Sequence, residues 1–157
     1  MSRRDQIRMT EGELRDFVAS AQTIVINSIG PDGVPHPMPM WFGVEDDGAI
    51  VMTTFRKSQK VRNLERDPRV SLLVEEGAVY SELRGAVLYG KAELIDDADR
   101  VLDILSTVAM ANQPEVDEES MKAVRKGLLA TAKKRVGIRI RPERIVSWDH
   151  RKLGGVY

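Results

Sequence analysis

The sequence predicts a mainly β protein with flanking helices, in which six to seven antiparallel strands curl into a small barrel. Short apolar, β-branched runs are separated by turn signals such as "PDG" and "DDG", which indicates strands joined by tight turns. No glycine-rich loop stands between a strand and a helix, which excludes a dinucleotide-binding parallel sheet. Gly85 and Gly90 interrupt the longest strand pattern, where bends would let the sheet curl and lose its edges. The length predicts a single domain over residues 1–157.

A helix and three strands are predicted in the first third of the chain. Thr10 and Glu13 match a capping box, and the apolar residues after them recur at helical spacing, so a helix is predicted at 10–21. Strands are then predicted at 22–30, 34–45 and 49–55. Prolines at every second position of the middle strand exclude a helix and favour an edge or bulged strand. The tight turns predict that the three strands form a consecutive antiparallel meander.

The rest of the chain reads as strands interrupted by two helical segments. A short helix is predicted from about Ser58 to Arg66, where "DP" ends it. The apolar spacing then becomes helical over about 97–131, which predicts a helical insertion. The remaining strands are predicted at 69–77, 83–96 and 134–149. The last eight residues, "HRKLGGVY", have no regular pattern.

Composition excludes several classes of function. The 24 basic and 24 acidic residues cancel, which argues against a general nucleic-acid binder. The chain has no cysteine, and its two histidines, His36 and His150, lie too far apart in sequence to make a metal site. The polar N-terminus and the absence of a long apolar run argue against export and membrane spanning, and we expect a cytoplasmic protein.

Positive charge collects in the segment "TTFRKSQKVRNLERDPRVSLLVE", where six basic residues lie between Arg56 and Arg69. On the predicted helix, Lys60 and Asn63 share one flank with Arg56 a turn earlier, while the apolar residues face the sheet. Free amides at a helix start beside cations form an anion site, for which phosphate is the expected occupant. The alternative is a surface helix with solvated charges. Because the charges are predominantly positive and the strand before them ends in the small, polar "MTT", a phosphate site is favoured.

This segment, preceded by "GVPHPMPMWF" and followed by "GKAEL", resembles the pyridoxamine 5′-phosphate oxidase-like family of FMN-binding split β-barrels. Within that family it is most similar to the branch that uses the deazaflavin coenzyme F420. The resemblance covers about residues 10–145, and its most specific part is the small-residue strand end followed by a basic loop, "KxxNL" and "DPRV". The resemblance implies a flavoprotein-like homodimer with each cofactor in a groove between subunits.

The resemblance also implies which residues bind the cofactor. The phosphate-binding segment corresponds to Arg56, Lys57, Ser58, Lys60 and Asn63. The ring would lie against the backbone of Met52, Thr53 and Thr54, and its other side would be lined by Met38, Pro39, Met40 and Trp41. Tyr80 occupies the place of an aromatic residue that meets the cofactor from the partner subunit. Some relatives carry a basic residue where this chain has Ser58.

The predicted function is an oxidoreductase that uses coenzyme F420 for hydride transfer to a small organic substrate, which the sequence does not identify. The surplus of positive charge favours F420, because its tail adds carboxylates beyond one phosphate; FMN is the alternative cofactor. Tyr80 and His36 are candidate proton donors. The other hypotheses are an FMN-dependent oxidase or reductase of the same fold and a non-catalytic flavin- or haem-binding protein.

Overall fold

The computed structural model describes residues 2–112 and 117–155. Its five helices are α1 (Arg3–Ile7), α2 (Glu11–Ser20), α3 (Gln59–Arg66), α4 (Ala98–Asn112) and α5 (Glu118–Ala132). Its seven strands are β1 (Thr23–Ile29), β2 (Pro35–Trp41), β3 (Gly43–Val44), β4 (Ile50–Phe55), β5 (Arg69–Glu76), β6 (Arg84–Ile95) and β7 (Arg135–Asp149). Two short 3₁₀ turns lie at Tyr80–Glu82 and His150–Leu153.

The strands form one antiparallel sheet in the order β2-β1-β5-β6-β7-β4-β3. The predicted antiparallel split barrel is therefore confirmed. The two ends of the sheet approach each other, because one cavity is lined both by the end of β2 and by Thr53 of β4. A register shift between Tyr89 and Gly90 marks the bulge predicted at Gly90. Gly85 serves a different purpose, since a Cβ there would lie 2.3 Å from the ring of Trp148.

The predicted meander of the first three strands is confirmed in part. The predicted strand 34–45 is divided into β2, which pairs with β1, and β3, which pairs with the first two residues of β4. β4 also pairs along its whole length with β7, which the meander did not include. The prolines at 35, 37 and 39 remove N–H donors from β2, which is tolerated at the end of a sheet and not in its middle. The longer partner of β4 is the apolar start of β7, about eighty residues later in the chain.

The helices close the barrel and cover one of its faces. The main core cluster joins Phe17 and Val18 of α2 to apolar side chains of five strands. α4 and α5 lie over β4 and β7, with Val101, Leu102 and Leu105 in a second cluster. The predicted capping box of α2 is present: Thr10 N donates to Glu13 Oε2 at 2.7 Å, and Glu13 N donates to Thr10 Oγ1 at 3.3 Å.

The first helix, α1, was not predicted from the sequence. Ser2 and Asp5 form a capping box there, with Asp5 N donating to Ser2 Oγ at 3.2 Å. The motif is readable in "SRRD", but only five helical residues follow and they carry no apolar stripe. No helix in the described ranges is long and apolar enough to cross a bilayer.

Candidate functional site

The junction between β4 and α3 presents uncapped backbone amides. Ser58 N donates to Phe55 O at 2.9 Å, which closes a tight turn before the helix. Ser58 is the N-cap of α3, but its side chain makes no capping hydrogen bond. The first-turn amides of α3 therefore lack a side-chain acceptor, and the helix dipole adds partial positive charge at this point. An anion is the natural acceptor for these amides.

Lys60 lies in the first turn of α3 with only 6% of its surface exposed. Its Nζ donates to Thr54 Oγ1 at 3.1 Å, and Thr54 Oγ1 in turn donates to Ser58 Oγ at 3.3 Å. No carboxylate of the described residues forms an ion pair with Lys60. Burial lowers the pKa of the Lys60 ammonium from its ordinary value. An ammonium with three donors and one hydroxyl partner is short of acceptors, so the position is suited to a bound anion.

Asn63 has a structural role in this chain. Its side chain is fully buried; its Nδ2 donates to Ser28 Oγ of β1 at 3.0 Å, and its Oδ1 accepts from Gln59 Nε2 at 2.9 Å. The flank predicted for Lys60 and Asn63 is not exposed on α3, because both side chains are buried together with Val61 and Leu64. Asn63 anchors the helix on β1 and so fixes the position of Lys60.

We expect Asn63→Ala to lower the free energy of unfolding by about 1–3 kcal/mol, because it leaves the buried Ser28 hydroxyl without its donor. Ser28→Ala in the same background should then cost less than it does alone. Chemical denaturation of the two single variants and the double variant measures this coupling. Glu65→Ala, on the exposed side of α3, is the matched control. Additive effects of the two substitutions would contradict the anchoring role.

A basic cavity of about 470 Å³ lies at this junction. Its lining residues are Phe55, Arg56, Lys57, Lys133 and Lys134. Arg56 forms an ion pair with Asp96 and donates from NH2 to Arg135 O at 3.3 Å. The three lysines form no ion pair within residues 2–112 and 117–155. The cavity therefore carries net positive charge beside the start of α3.

One edge of β4 is open next to this cavity. Arg56 N donates to Lys134 O of β7 at 3.1 Å, so by antiparallel alternation the backbone groups of Met52 and Thr54 also face β7. The backbone groups of Thr53 face the opposite edge. β3 covers only the first two residues of β4 on that side. The backbones of Met52, Thr53 and Thr54 were predicted to contact the ring. Of the three, only Thr53 has backbone groups that face the open edge of β4.

Met52 is a core residue. Its side chain has 0% exposure and belongs to the main apolar cluster, and its backbone is paired with β7. Neither the side chain nor the backbone polar groups of Met52 face the open edge of β4, because inward residues of a barrel strand fill the core. Its contact with the ring stays a prediction. Thr54 contributes through its hydroxyl, which accepts from Lys60.

An apolar cavity of 350 Å³ lies against the same edge of β4. It is lined by Pro39, Met40 and Trp41 of β2 together with Thr53. These are four of the residues that were predicted to contact the ring. Met38 does not line it and is 38% exposed elsewhere on β2. The remaining wall is formed by helical residues that the sequence did not indicate as site residues: Leu105, Val108, Ala109, Leu128 and Thr131.

Arg135 lines this cavity too and was not predicted as a site residue. Its guanidinium carbon lies 4.5 Å from the centroid of the Phe55 ring. Its NH1 donates to Thr53 O at 3.4 Å and to Thr53 Oγ1 at 3.3 Å. In the sequence, the feature that could have indicated Arg135 is the basic run "KKR" at 133–135. The β4–β7 register places this run beside Phe55.

Neither candidate proton donor, Tyr80 or His36, lines the apolar cavity within one chain. The Tyr80 ring is 4.7 Å from that of His150, whose Nδ1 is 3.1 Å from Tyr80 O. This pair lies by the Asp149 end of β7, whereas the junction lies by its Arg135 end, roughly 45 Å away along the strand. His36 lies opposite Ser28, at the far end of β2 from the apolar cavity.

The sequence and fold match known proteins. A family model described as pyridoxamine 5′-phosphate oxidase matches residues 10–149. The conserved hypothetical protein Rv2991 from Mycobacterium tuberculosis is 41% identical, with 100% of this chain and 95% of that chain covered and a TM-score of 0.86. A search of curated proteins gave no match.

Two more distant structures share the fold. An F420 reductase has a TM-score of 0.63 at 20% identity, covering 83% of this chain and 94% of that chain. HutZ, the haem storage protein from Vibrio cholerae, has a TM-score of 0.64 at 17% identity, covering 87% of this chain and 94% of that chain. At these identities the similarity establishes the architecture alone.

Proposed function

This chain belongs to the pyridoxamine 5′-phosphate oxidase family, and from that premise we propose that it is an oxidoreductase that binds coenzyme F420. The observation that carries the proposal is the buried ammonium of Lys60 beside the uncapped start of α3. We assign the cofactor phosphate to this position. Ser58 and the first-turn amides complete the set of donors around it.

The residues around the junction fit a planar, anionic cofactor. The open edge of β4 offers the backbone N–H of Thr53 to the polar rim of a ring, while the Thr53 carbonyl accepts from Arg135 NH1. The neighbouring apolar cavity, with Met40 and Trp41, offers a face for the ring itself. Lys60 lacks a carboxylate partner among the described residues, which leaves a place for a phosphate. The site therefore combines an apolar surface for a ring with cations for an anionic tail.

One observation favours F420 over FMN. The basic cavity beside the phosphate position adds Lys57, Lys133 and Lys134, more charge than one phosphate requires. The tail of F420 carries several carboxylates, which such a cavity would attract.

When bound, F420 supplies the hydride-transfer chemistry, and the protein supplies position and a dry surface. Thr53 orients the ring edge, Lys60 holds the phosphate, and the apolar wall of α4 and α5 excludes water from the reacting face. Tyr80, the candidate proton donor, lies at the other end of β7 from this cavity within one chain. We therefore propose a homodimer in which Tyr80 of a second copy reaches the cofactor.

Binding of the two cofactors tests this function. We expect the protein, purified without cofactor, to quench F420 fluorescence at micromolar concentration and to leave FMN fluorescence nearly unchanged. The reduced cofactor should then be consumed by a member of a panel of enones, quinones and nitro compounds. A preference for FMN, with oxygen consumption on reduction, would instead identify an FMN-dependent oxidase. Tight binding of flavin or haem without any turnover would identify a storage or carrier protein.

A further inference from the structure

Arg135 differs from the other arginines at the start of β7. Arg139 pairs with Glu45 and Asp47, and Arg141 pairs with Asp47. Arg135 forms no ion pair within the described ranges, although it is only partly exposed. It is thus a cation without a counter-ion in the wall of a largely apolar cavity.

The guanidinium of Arg135 is held in a fixed plane. Stacking on Phe55 fixes its face, and the two hydrogen bonds to Thr53 fix one of its terminal nitrogens. Its Nε is buried and has no hydrogen-bond partner among the described residues. Arg135 therefore has hydrogen-bonding capacity that the described residues do not use. Because the fork geometry of a guanidinium matches a carboxylate, a carboxylate is the acceptor that fits best.

The remaining lining of the cavity favours an apolar group on the ligand. Leu105, Val108 and Leu128 of the helical insertion and Trp41 of β2 form an apolar wall around the cation. We propose that this cavity binds an apolar carboxylate, with its carboxylate on Arg135 and its hydrocarbon part against α4 and α5. The assignment of this ligand as the hydride acceptor rests on the proposed function, since the cavity adjoins the proposed ring position at Thr53.

Calorimetric titration without cofactor tests the binding site directly. The probes are 2-naphthoate and its neutral isostere 2-naphthamide, on the wild type, Arg135→Gln, Arg135→Lys and Arg141→Gln. We expect the wild type and Arg141→Gln to prefer the carboxylate by about tenfold, because a charged hydrogen bond contributes more than a neutral one. Arg135→Gln should lose this preference, and Arg135→Lys should retain part of it. Equal affinities of the wild type for the two probes, or an unchanged preference in Arg135→Gln, would overturn the proposal.

F420 titration of the same variants separates this inference from the proposed function. F420 affinity within about twofold of the wild type in Arg135→Gln supports a site for a second ligand. A loss of F420 affinity as large as the loss of naphthoate affinity would assign Arg135 to the cofactor and overturn the substrate proposal. If F420 fails to bind the wild type while the carboxylate preference persists, the proposed function fails and the carboxylate site stands. Thermal melts of each variant verify that it is folded.

Discussion

Lys60→Ala is expected to weaken F420 binding by about ten- to hundredfold. The ammonium is buried and has Thr54 as its hydrogen-bond partner, so we infer that its charge is directed at the phosphate. A hydrogen bond to a charged group contributes about 1.5–3 kcal/mol, which sets this range. The same substitution should change the affinity for the dephosphorylated cofactor core by less than about threefold. Fluorescence titration with both compounds measures the ratio.

Arg62→Ala is the matched control for that experiment. Arg62 lies on the exposed side of the same helix, two residues from Lys60. Its removal deletes a positive charge but no proposed phosphate ligand, so the affinity should change by less than about threefold. If Lys60→Ala weakened the binding of the intact cofactor and of its dephosphorylated core equally, Lys60 would not be the phosphate ligand.

Met52→Ala is expected to lower the free energy of unfolding by about 2–5 kcal/mol, because it leaves a cavity in the main core cluster. Met52 is 0% exposed, so the effect should be on stability and not on the binding of cofactor by the folded protein. Chemical denaturation gives the stability, and F420 titration well below the unfolding transition gives the affinity.

Met38→Ala provides the comparison, because 38% of Met38 is exposed and it lies on the edge strand β2. Its effect on stability should stay below about 1 kcal/mol. A destabilisation of similar size for both methionines would contradict the placement of Met52 in the core. A stable Met52→Ala variant with weakened F420 binding would instead restore Met52 as a cofactor residue.

Local patterns in the sequence were sufficient for the elements of the fold. The capping box at Thr10 gave the start of α2, and "DP" gave the end of α3 to within one residue. The tight turn "DDG" correctly indicated the pairing of β3 with β4. The pairing of β4 with β7 was not accessible in this way, because β7 begins about eighty residues later. The prolines of β2 favour its place at the end of the sheet.

The candidate site was predicted in part. Helical angles correctly placed Val61 and Leu64 on the sheet, but they could not indicate that α3 also buries Lys60 and Asn63. Alternation along β4 separates Thr53 from Met52, yet the sequence does not say which face is the core. Arg135 and the two lysines before it were missed because only the strand register brings them to the junction.

A crystal structure of the protein with F420 bound would test the central claim most directly. We predict that the cofactor phosphate lies within hydrogen-bond distance of Lys60 Nζ and of the first-turn amides of α3, with the ring edge at Thr53. A phosphate bound elsewhere on the chain, with Lys60 still bonded only to Thr54, would contradict the claim.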